Sequence, residues 1–426
     1  MSSGSPGRKA FTLIELLVVI AIIAILAVVV VLTLNPAELL RQSRDANRVS
    51  DMATLVSAVN LYNTDQSGGS GFNLGSPNTV YVSIADPSAT STAGDQCQGL
   101  GLVSLPGNYS YHCAASSTYR QVNANGWIPV NFQGITAGTP LSSLPVDPTN
   151  NSSSRLYYTY ATNGTQFEVT ASMESQKYQL GGSGDVISGD GGPLASVYEK
   201  GTVGLEPLDA GDNTLLLFWP LNEGTGTVVY DGSGNNATGS LLNAPTWNTS
   251  PCKLTSCIYF GSLSPYVKGP SMTMNLNTSA YTYCAWFYVP SSSYSVSDYG
   301  DVLLSMGYPT IGIKLGLGSS SISIVAYVNG GAYAAYGTAS YNQWHQGCVV
   351  FAGFGSSLRT YYFDGAAVGS DTSGSVVSST ANFFIGNNGL SCCGTTSNGP
   401  DYLNDIRFYD RALTPAQIAA LYSGGK

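Results

Sequence analysis

A run of 24 residues near the start of the chain, Phe11–Leu34, is apolar throughout except for Thr12, Glu15 and Thr33. As an α-helix this run would be about 36 Å long at ~1.5 Å per residue, which is enough to cross a hydrocarbon core of ~30 Å. The apolar part of a secretory signal peptide is shorter, about 7–15 residues, and is followed by a cleavage site of small residues, which this chain lacks. The run therefore predicts a transmembrane helix over 11–34.

Glu15 is the unusual member of this run. A charged residue at mid-bilayer costs about 2.5–3.5 kcal/mol on insertion scales, so a chain that keeps one needs a physical reason. Arg8 and Lys9 precede the run, and by the positive-inside rule they predict an N-terminus in the cytoplasm. The alternative is an ordinary membrane anchor, in which Glu15 has no particular role.

The stretch RKAFTLIELLVVIAIIAIL, residues 8–26, resembles the N-terminus of type IV pilins and pseudopilins. The resemblance implies that a prepilin peptidase removes the leader 1–10 by cutting between Ala10 and Phe11, and then methylates the new amine of Phe11. The family usually has Gly before the cut, where this chain has Ala10, another small residue.

Cleavage would place the Phe11 ammonium and the Glu15 carboxylate at i and i+4 on one helix face. Paired in a membrane, the two charges cost much less than either alone. The residues leave open whether the pair forms within one chain or between neighbours. The resemblance favours pairing between chains during filament assembly, with Glu15 and Phe11 as the assembly residues.

The chain beyond the apolar run predicts a kink at Pro36 and a continuing helix to about Asn63. Its apolar residues recur at helical spacing and predict a stripe that packs on a globular domain: Val49, Met52, Val56 and Val59. The charged residues between them predict a solvated face: Arg41, Arg44, Asp45, Arg48 and Asp51. A long N-terminal helix, 11–63, matches the architecture of type IV pilins.

Residues 64–180 predict the small globular domain of an α+β pilin, with loops followed by a sheet. Segments 126–132, 156–162 and 166–172 have the alternating, β-branched and aromatic character of strands. The dipeptide Asn163–Gly164 predicts a tight hairpin between the last two. The Gly-rich and strand-poor segment 181–212 predicts a tail and linker.

Residues 213–426 predict an all-β sandwich, because short strands recur every 8–15 residues between Gly/Ser/Asn turns. Several segments resemble concanavalin A-like, laminin-G-like jelly-roll domains, among them YTYCAWFYV, WHQGCVVFAG and the ending DYLNDIRFYDRALTPAQIAALY. The resemblance covers nearly all of 215–422. It implies a two-sheet jelly roll with a short helix beginning near Pro415.

The eight cysteines, accompanied by only two histidines, predict disulfides in an oxidising compartment rather than metal sites. Cys97 and Cys113 are the only cysteines of the first globular part, which favours a bridge between them. Pentraxins, in the same superfamily as the jelly-roll domains, bridge two strands at positions matching Cys284 and Cys348, so the resemblance implies that pair. The remaining cysteines allow Cys252–Cys257 with Cys392–Cys393, or an exchange between these two pairs.

Composition and motifs argue against enzymes and nucleic-acid binders. With a net charge of −9, the chain lacks the excess of Lys and Arg that is typical of a general nucleic-acid binder. No acid/base pair of carboxylates, catalytic triad order, phosphate loop or dinucleotide fingerprint occurs in the sequence. In the jelly-roll family, Glu223, Asp231 and His345 stand at scaffold positions, and Asp231 is an occasional calcium ligand. The sequence thus predicts no cofactor, and the one alternative is a structural calcium at Asp231.

These features predict a subunit of a type IV pilus-like filament that displays a lectin-like domain for adhesion. The expected partners are further copies and other pilins, the prepilin peptidase, the assembly platform with its ATPase, and a carbohydrate or protein surface. The chain would be a single-pass cytoplasmic membrane protein before assembly, and extracellular afterwards. The alternatives are a pseudopilin of a secretion or DNA-uptake apparatus, a domain that merely shields the filament, and a membrane-tethered lectin that does not polymerise.

Overall fold

The computed structural model of the chain describes these residues: 12–66, 69, 71–88, 97, 99–103, 105, 109–192, 194–202, 205–209, 212, 214–254, 256–261, 265–291, 299–306, 311–317, 321–328, 335–372, 374–375, 378–386 and 402–424. Within these ranges, the side chains at 26–34, 299–302, 327 and 424 are not described.

The N-terminal part of the chain forms two helices, α1 (Leu13–Leu34) and α2 (Pro36–Gln66). Asn35 separates them in a left-handed conformation, with φ 37° and ψ 74°. Pro36 is therefore the first residue of α2, where its missing N–H leaves no helical hydrogen bond unmade. The sequence predicted a kink within one helix over 11–63, whereas the structure has a break at Asn35 and a second helix that continues to Gln66.

The first globular part contains one five-stranded sheet in the order β2-β1-β3-β4-β5. Its strands are β1 (Thr79–Asp86), β2 (Ser110–Ala115), β3 (Tyr158–Thr162), β4 (Phe167–Ser172) and β5 (Val197–Gly201). β1 and β2 are parallel, and the other neighbours are antiparallel. β5 lies inside the segment that the sequence predicted to be a strandless tail and linker.

Helix α2 packs on this sheet through Met52, Leu55, Val59 and Tyr62, which are all buried. Segment 126–132 completes the core, but it is not the strand that its alternation predicted. Its apolar residues at 127, 128, 130 and 132 are all fully buried, and a short 3-10 helix covers Phe132–Gly134. The segment is a loop inserted into the core, so both of its sides face apolar neighbours.

The C-terminal part is a sandwich of two sheets. The sheet that we call the helix-side sheet has the order β19-β18-β17-β12-β21-β10-β9, with β6 also pairing with β21. Its strands are β6 (Leu215–Trp219), β9 (Thr246–Asn248), β10 (Cys257–Tyr259), β12 (Tyr281–Tyr288), β17 (Trp344–Gly353), β18 (Ser356–Phe363), β19 (Ala366–Asp371) and β21 (Tyr402–Tyr409). Helix α3 (Pro415–Gly424) packs on its outer face, where Ile418 and Leu421 meet Cys284 and Cys348.

The second sheet of the sandwich, which we call the open sheet, has the order β16-β15-β14-β13-β20-β11-β8-β7. Its strands are β7 (Val228–Val229), β8 (Gly239–Leu242), β11 (Tyr266–Asn275), β13 (Tyr299–Met306), β14 (Ile311–Leu317), β15 (Ile322–Val328), β16 (Tyr336–Ala339) and β20 (Ser378–Gly386). The strands that the sequence indicated in this domain are present in these two sheets.

The sandwich core follows from the two-residue period of its strands. In β12, Tyr283, Ala285 and Phe287 point into the core, so Cys284 and Trp286 point outward. Trp219 fills the space between the sheets and donates its indole N–H to the Ala237 carbonyl at 2.8 Å.

Candidate functional site

Glu15 lies in the first turn of α1, where Thr12 is the N-cap. The Glu15 carboxylate accepts hydrogen bonds from the Thr12 backbone N–H at 2.9 Å and from the Thr12 hydroxyl at 2.8 Å. In return, the Thr12 oxygen accepts from the Glu15 N–H at 3.2 Å. This is a capping box, and its T-x-x-E signature is visible in the sequence, although the predicted pairing of Glu15 with Phe11 did not include it.

The capping box gives the carboxylate two local donors. Phe11, the partner that the sequence argument assigned to Glu15, lies outside the described residues, as does the proposed cleavage site at Ala10. The predicted contact between the Phe11 ammonium and the Glu15 carboxylate therefore stays a prediction. Thr12 keeps its backbone N–H after cleavage before Phe11, so the capping box would survive processing.

The described side chains of α1 form an apolar surface that no other described part of the chain covers. The exposed fraction of its large apolar side chains from Leu13 to Ile25 runs from 46% to 74%. Exposed apolar surface of this extent marks a site of association with other apolar surface. In the described part of the chain, no helix is both long and apolar enough to cross a membrane. The predicted span 11–34 includes Phe11 and the side chains at 26–34, which are not described.

A buried ion network fixes α2 to the globular domain. The Arg48 guanidinium donates to Asp147 at 2.6 Å through Nε, to Asp45 at 2.6 Å and to Glu174 at 2.9 Å. Arg44 also pairs with Glu174. The side chains of Arg48, Asp45 and Asp147 are all fully buried.

The prediction of a solvated charged face on α2 is therefore wrong for Asp45 and Arg48. Asp147 and Glu174 lie 99 and 126 residues beyond Arg48, which is why the local sequence pattern did not indicate burial. Arg41 does fit the prediction, since its side chain is 48% exposed and lies 3.8 Å from Glu38.

The described residues form three disulfides, one within the first globular part and two within the sandwich. They join Cys97 to Cys113, Cys252 to Cys257, and Cys284 to Cys348. Cys284 and Cys348 are directly opposite residues of β12 and β17, with Cα atoms 4.2 Å apart. Cys392 and Cys393 lie outside the described residues, so the prediction for this pair stays open.

Asp231, the predicted calcium ligand, has both carboxylate oxygens occupied by donors. One oxygen accepts from the backbone N–H groups of Phe218 at 2.9 Å and Ser233 at 3.0 Å. The other accepts from the Ala237 N–H at 2.9 Å and from the Ser233 hydroxyl at 2.8 Å. Within the described ranges, no three His, Cys, Asp or Glu side chains form a group that could hold a metal ion. The surroundings of Asp231 thus support a structural role in its loop and give no support to the calcium prediction.

Two further ionisable groups that the sequence singled out also make structural contacts. Glu223 is buried, accepts from the Tyr230 N–H at 2.7 Å, and has a pKa raised by burial to about 7. The His345 ring lies 2.7 Å from the Asp364 carboxylate through Nδ1 and 3.1 Å from the Ser340 carbonyl through Nε2. Asp364 also accepts from the Gln346 N–H, so the pair fastens the start of β17 to the turn after β18.

Two family models match the chain. The prokaryotic N-terminal methylation motif matches residues 6–31, and the concanavalin A-like lectin/glucanases superfamily matches residues 260–419. No curated protein matches the chain.

Solved structures resemble this chain at low identity. The binding domain of Paraclostridial Mosquitocidal Protein 1 is 13% identical with a TM-score of 0.39, and the match covers 49% of this chain and 52% of that one. Domain 4 of AbnA, a GH43 extracellular arabinanase from Geobacillus stearothermophilus in complex with arabinotriose, is 14% identical with a TM-score of 0.36, covering 49% of this chain and 98% of that one. A Trypanosoma rangeli sialidase is 14% identical with a TM-score of 0.37, covering 50% and 33%. The chain thus spans about half the length of the mosquitocidal binding domain and a third of the sialidase. From the two family matches, the chain carries the N-terminal methylation motif of type IV pilins at its start and a concanavalin A-like, laminin-G-like domain in its C-terminal half.

Proposed function

We propose that this chain is a structural subunit of a type IV pilus-like filament that displays its jelly-roll domain for adhesion. The observation that carries the proposal is the methylation motif at 6–31 together with the uncovered apolar surface of α1. Before assembly, lipid would cover that surface in the cytoplasmic membrane. In the filament, the α1 helices of neighbouring subunits would replace lipid, because apolar contact and exclusion of water favour both arrangements.

In this proposal, a prepilin peptidase cuts before Phe11, and an assembly platform with its ATPase adds the subunit to the filament. Glu15 then has two tasks. Its bonds to Thr12 satisfy part of its hydrogen-bonding capacity locally, and its negative charge attracts the Phe11 ammonium of a neighbouring subunit and sets the axial register.

The jelly-roll domain would perform the adhesion. The domain extends from Leu215 to Gly424, about half of the chain, which makes it a large module for a pseudopilus that moves cargo inside a channel. Such a module is suited to an exposed position on a filament. The ligand class that fits this domain is a carbohydrate or protein surface.

The experiment that tests filament assembly is N-terminal sequencing of material sheared from cells that produce the protein. We expect filaments whose subunits begin with methylated Phe11. Recovery only from the membrane fraction, starting at Met1 or Ser2, would favour a tethered lectin and contradict the proposal.

Two substitutions at Glu15 separate its charge from its capping bonds. Glu15→Val removes both the charge and the capping bonds. We expect this variant to be inserted and cleaved but to yield at least about tenfold fewer sheared filaments. The reason is that the Phe11 ammonium would be left unpaired in apolar surroundings, which costs several kcal/mol. Glu15→Gln keeps an oxygen that can accept from Thr12 but carries no charge, so it should assemble as poorly as Glu15→Val. Normal filaments from Glu15→Gln would show that capping, and not charge pairing, is what the residue provides.

A further inference from the structure

Four aromatic side chains form a single row across the outer face of the helix-side sheet. Tyr259 lies opposite Tyr402, Tyr402 lies opposite Tyr288, and Tyr288 lies opposite Trp344 on four successive strands. The ring centroids are 4.9, 5.6 and 5.8 Å apart along this series. All four side chains are half-buried, so each still meets solvent. We call these four residues the aromatic row.

The strand period places the aromatic row outside the core. The neighbouring residues Ile258, Phe287 and Leu403 are fully buried between the two sheets, so the residues beside them face outward. At about 4.8 Å between strands, four strands give the aromatic row a length of roughly 14 Å.

Helix α3 covers the sheet next to the aromatic row, at Trp286. Trp286, two residues before Tyr288 on the same face, is only 2% exposed. Tyr422 of α3 stacks on it at 5.5 Å, and the Lys253 ammonium lies 4.2 Å from its ring centre. The half-buried state of Tyr288 contrasts with this covered neighbour. The four side chains of the aromatic row are thus more exposed than Trp286, which α3 covers.

The row is electrically neutral, and this decides which partner suits it. Its four residues carry no charge at neutral pH, and Thr246, which continues the line on β9 opposite Tyr259, is neutral and exposed. The described residues of this line include no cation, and the nearby Lys253 ammonium already lies over the Trp286 ring, so an anionic partner would lose its hydration with little compensating charge. Aromatic ring faces are electron-rich and attract the polarised C–H groups of sugar rings, while phenol and hydroxyl groups exchange hydrogen bonds with sugar hydroxyls.

We propose that the aromatic row is the binding site of the jelly-roll domain for a neutral polysaccharide chain that lies across the four strands. The inference rests on the proposed adhesive function and names its site and ligand class. A chain molecule suits the site better than a single sugar, because the rings follow one another in a line.

Gly261 lies against the Tyr259 ring at one end of the aromatic row. A Cβ atom at this position would lie 2.2 Å from a carbon of the Tyr259 ring, so any other residue would displace that ring. The backbone can therefore pass close to Tyr259 only because residue 261 has no side chain.

The test is native affinity electrophoresis of the full chain, solubilised in a detergent without a sugar headgroup, through gels that contain one polysaccharide each. The probes are hydroxyethylcellulose, xylan and galactomannan, which are neutral, and polygalacturonate, which is anionic. We expect at least one neutral probe to retard the wild-type protein. Tyr288→Ala and Trp344→Ala should each weaken that binding at least about tenfold, which is about 1.4 kcal/mol.

Two variants serve as matched controls. Tyr288→Phe keeps the ring and should bind within about twofold of wild type. Phe354→Ala removes an aromatic side chain of the same domain that is 75% exposed at the turn between β17 and β18, and it should change nothing. If an alanine variant loses the near-UV circular dichroism of the folded domain, Tyr259→Ser, at the short strand β10, takes its place in the comparison.

The outcomes distinguish this inference from the proposed function. Retardation by a neutral probe that survives both alanine substitutions would overturn the aromatic row as the site and leave adhesion intact. Retardation by polygalacturonate alone, or by none of the four probes, would overturn the neutral ligand. Sheared filaments that begin with methylated Phe11 would still support the pilus-like role in either case.

Discussion

Removing the Arg48 guanidinium should destabilise the first globular domain strongly, because two of its three carboxylate partners are fully buried. In Arg48→Ala, Asp45 and Asp147 would remain fully buried without their countercharge. Breaking a buried ion pair from one side typically costs about 3–5 kcal/mol.

The structure places the expected loss at the lower end of that range. Asp147 keeps hydrogen bonds from the backbone N–H groups of Thr149 at 2.7 Å and Asn150 at 3.1 Å. Asp45 keeps a bond from the Ser175 N–H at 2.8 Å. These remaining donors reduce the cost of burying the two carboxylates without Arg48, so we expect the free energy of unfolding to fall by about 3 kcal/mol.

Urea unfolding of the full chain in detergent, followed by hydrogen exchange of the backbone amides of β3 and β4, measures the loss in this domain alone. Arg41→Ala is the matched control, since Arg41 is exposed on the same helix and its pair with Glu38 should be worth less than about 1 kcal/mol. If Arg48→Ala and Arg41→Ala differed by less than about 1 kcal/mol, the buried network would not be what fixes α2 to the sheet.

Two further predictions concern pH and disulfides. Burial raises the pKa of Glu206 to about 8 from 4.5, so its stabilising contribution is complete below pH 4.5 and is lost as the pH rises through 8. Glu206→Gln should abolish that loss of stability, so its Tm should exceed that of the wild type at pH 8.5 and differ little from it at pH 5. If the Tm of both proteins fell equally between pH 5 and pH 8.5, the raised pKa of Glu206 would be contradicted. Replacing Cys284 and Cys348 by Ala opens a loop with a sequence separation of 64 and should cost about 4 kcal/mol in urea unfolding. Opening the Cys252–Cys257 loop, with a separation of 5, should cost about 2 kcal/mol, and the reverse order would contradict the chain-entropy argument.

The sequence predicted best those features that depend on local periodicity. The strands of the sandwich alternate in character between turn residues, and the structure has them in two sheets. The hairpin between β3 and β4 also follows from local chemistry, since Gly164 adopts φ +92° at the turn.

The features that the sequence did not predict depend on contacts between distant residues. Arg48 has the pattern of a surface residue until Asp147 is placed beside it, and segment 126–132 has the pattern of a strand although it is a buried loop. The aromatic row was equally hidden, because its members come from four separate segments between Tyr259 and Tyr402. Only the pairing register of the sheet brings them into one line.

The segment between the two domains bears on how a filament would present the jelly roll. This segment is hydrogen-bonded to the first sheet, since the Glu168 carboxylate of β4 accepts from the N–H groups of Leu205 at 2.6 Å and Glu206 at 2.7 Å.

Asp209, a few residues further on, lies 2.7 Å from the Arg407 guanidinium of β21 and is fully buried. Charged and hydrogen-bonded contacts therefore hold the connecting segment to the first sheet at one end and to the helix-side sheet at the other. A segment held at both ends transmits orientation, whereas a Gly-rich tether would not. If α1 sets the register of the subunits in a filament, each jelly-roll domain, and with it each aromatic row, would face the surroundings at the same angle to the filament axis.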